Sequence, residues 1–258
     1  MPEIRRPFAE VEASRPDFDP STSFAFTKSP NPSWKPGQGG NDNEADLAKN
    51  HVEIDPYEAG RPAISNYKLL ISGIVPRPIG LISTRSKDGQ TINVAPFSFT
   101  QMVNFDPPII VVGFTGQPNP KDTFRNLVET GECVVNTVGL HYLEAANHTS
   151  IGAPHGVSEF ELAGLHPAPS TTVKAPRVKE SMFSIEAKLV ETKEWDSRAN
   201  PGKKSGAMVI LEGTRFWARE DAINEDKTLL DPAVLRPVAR LGGISYANIT
   251  SAMEIPRP

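Results

Sequence analysis

With a single cysteine, Cys133, in 258 residues, the chain has no means of forming an internal disulfide. The main sequence sign of an oxidising compartment is therefore missing. That thiol lies in the apolar run Cys133-Val134-Val135, which predicts a buried small hydrophobe rather than a reactive group. Long hydrophobic runs are also lacking. No stretch approaches the ~20 apolar residues of a membrane-spanning helix. The start, Met1 to Arg6, has no apolar signal-peptide core. A soluble, cytoplasmic protein with no membrane contact is expected. Positive charge is not in excess: 27 Lys and Arg stand against 31 Asp and Glu, a net charge of -4. A general nucleic-acid binder needs a basic face to replace counterions, so no nucleic-acid partner is expected. No G-x-G-x-x-G opens a helix after a strand, which excludes a Rossmann dinucleotide site. G-x-S-x-G and H-E-x-x-H are absent too, so serine hydrolase and zinc protease readings lack support. His141, His148 and His155 are evenly spaced but interrupted by Gly152 and Pro154, and no metal site is expected.

What is present divides at about residue 60. Residues 1–60 are rich in Pro, Gly, Asn, Asp and Ser, with the polar run Lys35 to Glu44. Such a segment buries too little apolar surface to offset the entropy of ordering it. It is expected to be a flexible or extended N-terminal arm, with Phe8, Phe18, Phe24, Phe26 and Trp34 available to dock on a neighbouring surface. Residues 61–258 have the texture of one domain. Strands are expected at 78–84, 91–95, 98–104, 109–114 and 132–138, and two long ones at 181–195 and 206–217. Asp88-Gly89 marks a hairpin turn. Residues 121–130 place Phe124, Leu127 and Val128 on one helical face, with Asp122 or Thr123 as cap and Gly131 as stop. A short helix is expected at 140–147, and loops at 152–176 and 231–246. Many strands with few, short helices argue for a mainly β barrel and against a doubly wound parallel sheet.

Several segments are equipped for binding. Lys121-Asp122-Thr123 opens a helix, where free N–H groups, a hydroxyl and an ammonium suit a phosphate. The same triplet also fits an ordinary capped surface helix. In Asn93-Val94-Ala95-Pro96-Phe97-Ser98, Pro96 marks a bulge or strand end, and the backbone groups it frees could read the edge of a flat ring. A barrel corner without a ligand is the alternative. Asn104 either donates to such a ring or closes a local turn. Arg240-Leu241-Gly242-Gly243 with Tyr246 offers a cation, close backbone approach and an aromatic face.

In order along the chain, Tyr67 to Thr84, Asn93 to Phe99, Asp106 to Phe114, Lys121 to Glu132, Gly156 to Leu165 and Arg240 to Tyr246 resemble the flavin reductase-like, or flavoredoxin-type, family. The resemblance implies an FMN-binding split β-barrel of Greek-key type, decorated with short helices, and a homodimer with FMN at the subunit interface. It puts Asn93, Ala95, Pro96, Phe97 and Ser98 at the ring and ribityl chain, and Lys121, Asp122 and Thr123 at the phosphate. Asn104 is a candidate ring contact, and Arg240 and Tyr246 close the pocket. Arg77 matches a family arginine near the pocket. The implied activity is flavin reduction by NADH or NADPH, or flavin-mediated reduction of a small acceptor, with a partner oxygenase as one destination. No catalytic side chain is named. A non-enzymatic flavin carrier or sensor, or a member recruited to a specialised flavin-assisted reaction, remains the alternative.

Overall fold

A computed structural model describes residues 7–40, 44–115 and 121–258. The first six residues of the arm, part of its Lys35–Glu44 run and most of the loop ahead of Lys121 lie outside them. The arm carries α1 (Phe8–Ala13), β1 (Ala25–Thr27) and α2 (Glu44–Leu47), and α3 (Ala63–Gly73) opens the domain. Then follow β2 (Gly80–Arg85), β3 (Ile92–Phe97), β4 (Thr100–Phe105), β5 (Pro108–Thr115), α4 (Asp122–Thr130) and β6 (Glu132–Thr137). A 3-10 turn leads into α5 (Leu143–His148), then α6 (Glu159–Ala163) and the two-residue strands β7 (Pro167–Ala168) and β8 (Arg177–Val178). The long hairpin β9 (Phe183–Asp196) and β10 (Lys204–Ala218) precedes α7 (Pro232–Leu235), β11 (Val238–Arg240), β12 (Tyr246–Asn248) and β13 (Ser251–Met253).

Seven strands form one sheet in the order β3-β2-β6-β9-β10-β5-β4, and every neighbouring pair in it is antiparallel. The sheet curls so that its two ends meet. Phe97 of β3 lies 4.6 Å from Phe114 of β5, ring to ring, and Gly113 donates its N–H to the Phe99 carbonyl. This is the barrel that the strand count predicts, in the split form that the family resemblance implies. Alternation along the strands sorts residues between two apolar layers. Ile82, Ala95, Val112, Val135, Ala187 and Leu211 fill the interior, closed by Phe124 and Leu127 of α4. Leu81 and Val94, one position along, face outward and pack with Tyr142, Ala146 and Phe160 of the α5–α6 layer. Cys133 is part of the interior, and burial first, then neighbouring Glu132, pushes its thiol up to about 12.

The turn at Asp88-Gly89 forms as expected. Gly89 has φ +75, and the Asp88 carboxylate accepts from the Ser86 hydroxyl and the Gln90 N–H. Three local expectations need correction, and one open alternative is decided. The cap of α4 is neither Asp122 nor Thr123: Lys121 is the N-cap, in extended conformation and without a side-chain bond, so both later residues sit in the first turn. Of the two alternatives for Pro96, a bulge or a strand end, the second holds: it pairs in register with Leu81 one residue before β3 ends, in a terminal strand of the sheet that tolerates proline. Register shifts lie elsewhere, in β4 between Met102 and Asn104 and between β9 and β10. The loops expected at 152–176 and 231–246 contain α6, α7, β7 and β11 and run up to β8 and β12, elements whose two- to five-residue length gives little periodicity to read.

Helix α3 was not expected. Only Ile71 is buried in it, while Ile64, Tyr67, Leu69 and Leu70 are exposed, so its apolar residues do not form one inward stripe. The arm has no core of its own. Its β1 pairs in parallel with β13, and Tyr57 lies under the Arg198 guanidinium at 4.4 Å.

Candidate functional site

Helix α4 follows β5, and Lys121 at its start borders both parts of a two-part cleft. The first chamber is bordered by Pro96, Phe97, Ser98, Lys121, Arg240 and Tyr246, with Tyr67 from α3 and Asn147 from α5. The second, about 450 Å³, is bordered by Asn93, Ala95, Asp122, Thr123, His155 and Glu159. Lys121 and Ser150 belong to both chambers. Of the residues singled out in the sequence, ten therefore border this cleft, whereas Asn104 and Arg77 do not. The Asn104 amide donates instead to the Pro107 carbonyl at 2.9 Å, a local turn bond on an exposed strand.

The first chamber carries positive charge. Lys121 is exposed, its ammonium 5.8 Å from the Phe97 ring centre. Arg240 stacks on Tyr246 at 4.4 Å and donates to the Gly243 carbonyl, which Gly243 presents from φ +61. The Tyr246 hydroxyl donates to Asn147 Oδ1 at 2.7 Å. Burial pushes the Tyr246 phenol up, and Arg240 opposes that shift. Among the described residues, no carboxylate borders this chamber. Arg77 does not border it either. Its guanidinium is buried and donates to the carbonyls of Ile71, Ile74 and Leu241, so it staples the end of α3 to the Arg240 segment.

Beneath the second chamber lies a buried polar network that sequence reasoning missed. The Glu159 carboxylate accepts from the Asn93 amide at 2.6 Å and from the Val94 N–H at 3.3 Å. Asn93 Oδ1 in turn accepts from the Thr123 hydroxyl at 2.7 Å. Asn126 donates to Thr84, which also reaches Asn93. All five side chains are buried. Thr123 and Asn93 thus satisfy each other here, rather than standing free as donors. Burial pushes the Glu159 carboxyl up, its hydrogen bonds oppose this, and Asp122 adds to the rise. At the rim, Asp122 meets His155 at 2.9 Å and Arg125 at 3.3 Å. No local signal marks Glu159, because an acid in the first turn of a helix is ordinary.

Residues 72–235 match the model of the flavin reductase like domain. This chain belongs to the flavin reductase-like family. An uncharacterised protein of Halalkalibacterium halodurans is 35% identical over 209 residues, 80% of this chain and 97% of that one. Among solved structures, nitrilotriacetate monooxygenase component B from Bacillus cereus matches with a TM-score of 0.75 at 31% identity, covering 81% of this chain and 100% of that one. The 2-nitrobenzoate 2-nitroreductase of Pseudomonas fluorescens matches with a TM-score of 0.70 at 28% identity, covering 80% and 96%. The family match ends before the Arg240–Tyr246 segment. Among the described residues, no group of three or more His, Cys, Asp or Glu side chains is placed to hold a metal, and no helix is long and apolar enough to cross a membrane.

Proposed function

We propose that this flavin-related oxidoreductase binds FMN and reduces it with NADH or NADPH. The observation that carries the reading is the position of Lys121, at the start of α4 and between the two chambers. The groups present suit FMN. A phosphate at the N-terminus of the nine-residue α4 meets first-turn N–H groups that have no partner within the helix, together with the Lys121 ammonium. Pro96, Phe97 and Ser98 offer a flat apolar edge with one hydroxyl, and Tyr246 borders the opposite side. The bound flavin would supply the redox chemistry; the protein binds it, orients it and controls access. Asn147 fixes the Tyr246 ring, and Tyr246 in turn supports the Arg240 plane, so ring placement depends on this pair. No side chain is required as acid, base or nucleophile. The name of the Bacillus cereus relative supports delivery of reduced flavin to a partner oxygenase.

The test is anaerobic titration of purified protein with FMN and then with NADH and NADPH. Flavin bleaching on NAD(P)H addition is expected. Flavin binding without any reduction by either nucleotide would leave a carrier or sensor instead. Saturated with FMN, Ser98→Ala and Tyr246→Phe are expected to change the reduction rate in stopped flow, because small misplacement of reacting groups is costly.

We also infer that the working unit is a homodimer. Ile64, Leu69, Leu70 and Ile74 around α3, and Met102, Val103 and Phe105 on β4, are exposed and contiguous with segments bordering the cleft. Exposed apolar surface of this kind usually marks an interface. Light scattering at micromolar concentration is expected to give twice the mass of 28.1 kDa, and deletion of residues 1–55 to weaken the dimer. A monomer with FMN bound would refute this.

A further inference from the structure

The floor of the second chamber is a directed hydrogen-bond chain. Glu159, when ionised, can only accept. It therefore fixes the Asn93 amide with its NH₂ toward the carboxylate, at 2.6 Å, and its carbonyl toward Thr123, at 2.7 Å. Thr123 must then spend its one hydroxyl proton on Asn93 and has none for the chamber it borders. A phosphate monoester entering this chamber would meet an acceptor there, with a carboxylate behind it.

We propose that Glu159 takes up one proton when a phosphate monoester enters, and that this reverses the Glu159–Asn93–Thr123 chain. The proton comes from solvent and forms a carboxyl O–H. That O–H, formed on Oε2, donates to Asn93 Oδ1 once the amide has turned over, and a lone pair of the same oxygen keeps the Val94 N–H. Asn93 Nδ2 then donates to Thr123 Oγ1, which frees the Thr123 hydroxyl proton for a phosphate oxygen. No covalent bond changes other than the O–H.

Two effects favour this. Burial already disfavours the Glu159 carboxylate, and a phosphate dianion in the same chamber disfavours it further. The other charged or titratable groups around the chamber are Lys121, Asp122 and His155. Arg125 is tied to Asp122 and His155. β3, which packs on α6, contributes none; α5 carries Glu144 and His148, both exposed. Lys121 favours the phosphate without reaching the chain, since no bond joins it to Glu159, Asn93 or Thr123.

This inference rests on the FMN reading, and its test separates the two. Calorimetry of FMN binding at one pH, in buffers of different ionisation enthalpy, counts protons. Wild type is expected to take up more protons than E159Q, by a difference approaching one between pH 7 and 8.5. The phosphate's own ionisation, near pH 6, is common to both proteins and cancels. Over that range wild-type FMN affinity should fall as pH rises, by up to about tenfold per unit, while E159Q stays flat and binds more tightly at the alkaline end. Riboflavin should show neither effect. Infrared difference spectra of wild type on FMN addition should gain a protonated-carboxyl band, a readout that needs no variant. Equal proton counts with no such band, or an E159Q that binds FMN more weakly at every pH, would overturn the inference and leave Glu159 as structural. Failure of wild type to bind FMN at all would instead remove the FMN reading.

Discussion

Glu186→Ala is expected to destabilise the fold by about 3 kcal/mol at pH 7, the largest single loss foreseen outside the apolar core. Glu186 lies on β9, fully buried. Its carboxylate accepts from the Thr171 N–H at 2.9 Å, the Thr172 N–H and hydroxyl at 2.5 Å, and the Trp217 indole at 2.6 Å. Burial alone would raise its pKa, but the bonds from Thr172, Thr171 and Trp217 outweigh it and hold the carboxyl at about 2, against 4.5 unperturbed. Because the folded value is depressed, the stabilisation is fully present above pH 4.5 and is lost as pH falls toward about 2. Removal of the side chain leaves two backbone N–H groups and the indole N–H without their acceptor. The Arg177 plane, stacked on Trp217 at 3.8 Å, loses its backing as well. Urea unfolding of wild type, Glu186→Ala and Glu186→Gln at pH 7 and at pH 3 checks this. The gap between wild type and Glu186→Gln should narrow at the lower pH; a gap independent of pH would show that the charge is not what stabilises the loop.

Lys121→Ala is expected to weaken FMN by roughly 1.5–3 kcal/mol, or about 10- to 150-fold, the range for a hydrogen bond to a charged group. The side chain is exposed and caps nothing, so its removal should leave the melting temperature unchanged. Riboflavin, which lacks the phosphate, should bind wild type and variant alike. Fluorescence quenching with both flavins gives the four affinities needed. Saturating FMN should restore most of the reduction rate in the variant, because Lys121 acts on affinity and not on ring placement. Equal FMN affinity in wild type and Lys121→Ala would remove the phosphate from the start of α4.

Much of the architecture was legible along the chain. Period-two alternation, the Asp88-Gly89 turn, the Phe124 and Leu127 face of α4 (expected Val128 is exposed) and its Gly131 stop are set by residues within a few positions of one another. Gly131 indeed ends α4 at φ +70, with its N–H on the Leu127 carbonyl. The position of Lys121 to Thr123 at the start of α4 was legible for the same reason: a helix N-terminus is a local object. Helix α3 was not legible, because its apolar residues face outward and leave no inward stripe to detect.

The sequence by itself determined a mainly β domain behind a polar arm, without disulfide, Rossmann motif or long apolar span. Only tertiary structure decided which polar groups are available. Glu159 meets Asn93 across 66 positions and takes up its amide, and Tyr246 meets Asn147 across 99 and spends its hydroxyl there. Asn104, equally polar and equally near a strand end, spends its amide three residues away and stays outside the cleft. The physical reason is that a side chain's hydrogen-bonding capacity is finite. Its assignment depends on what the fold brings within about 3 Å, which no spacing along the chain encodes.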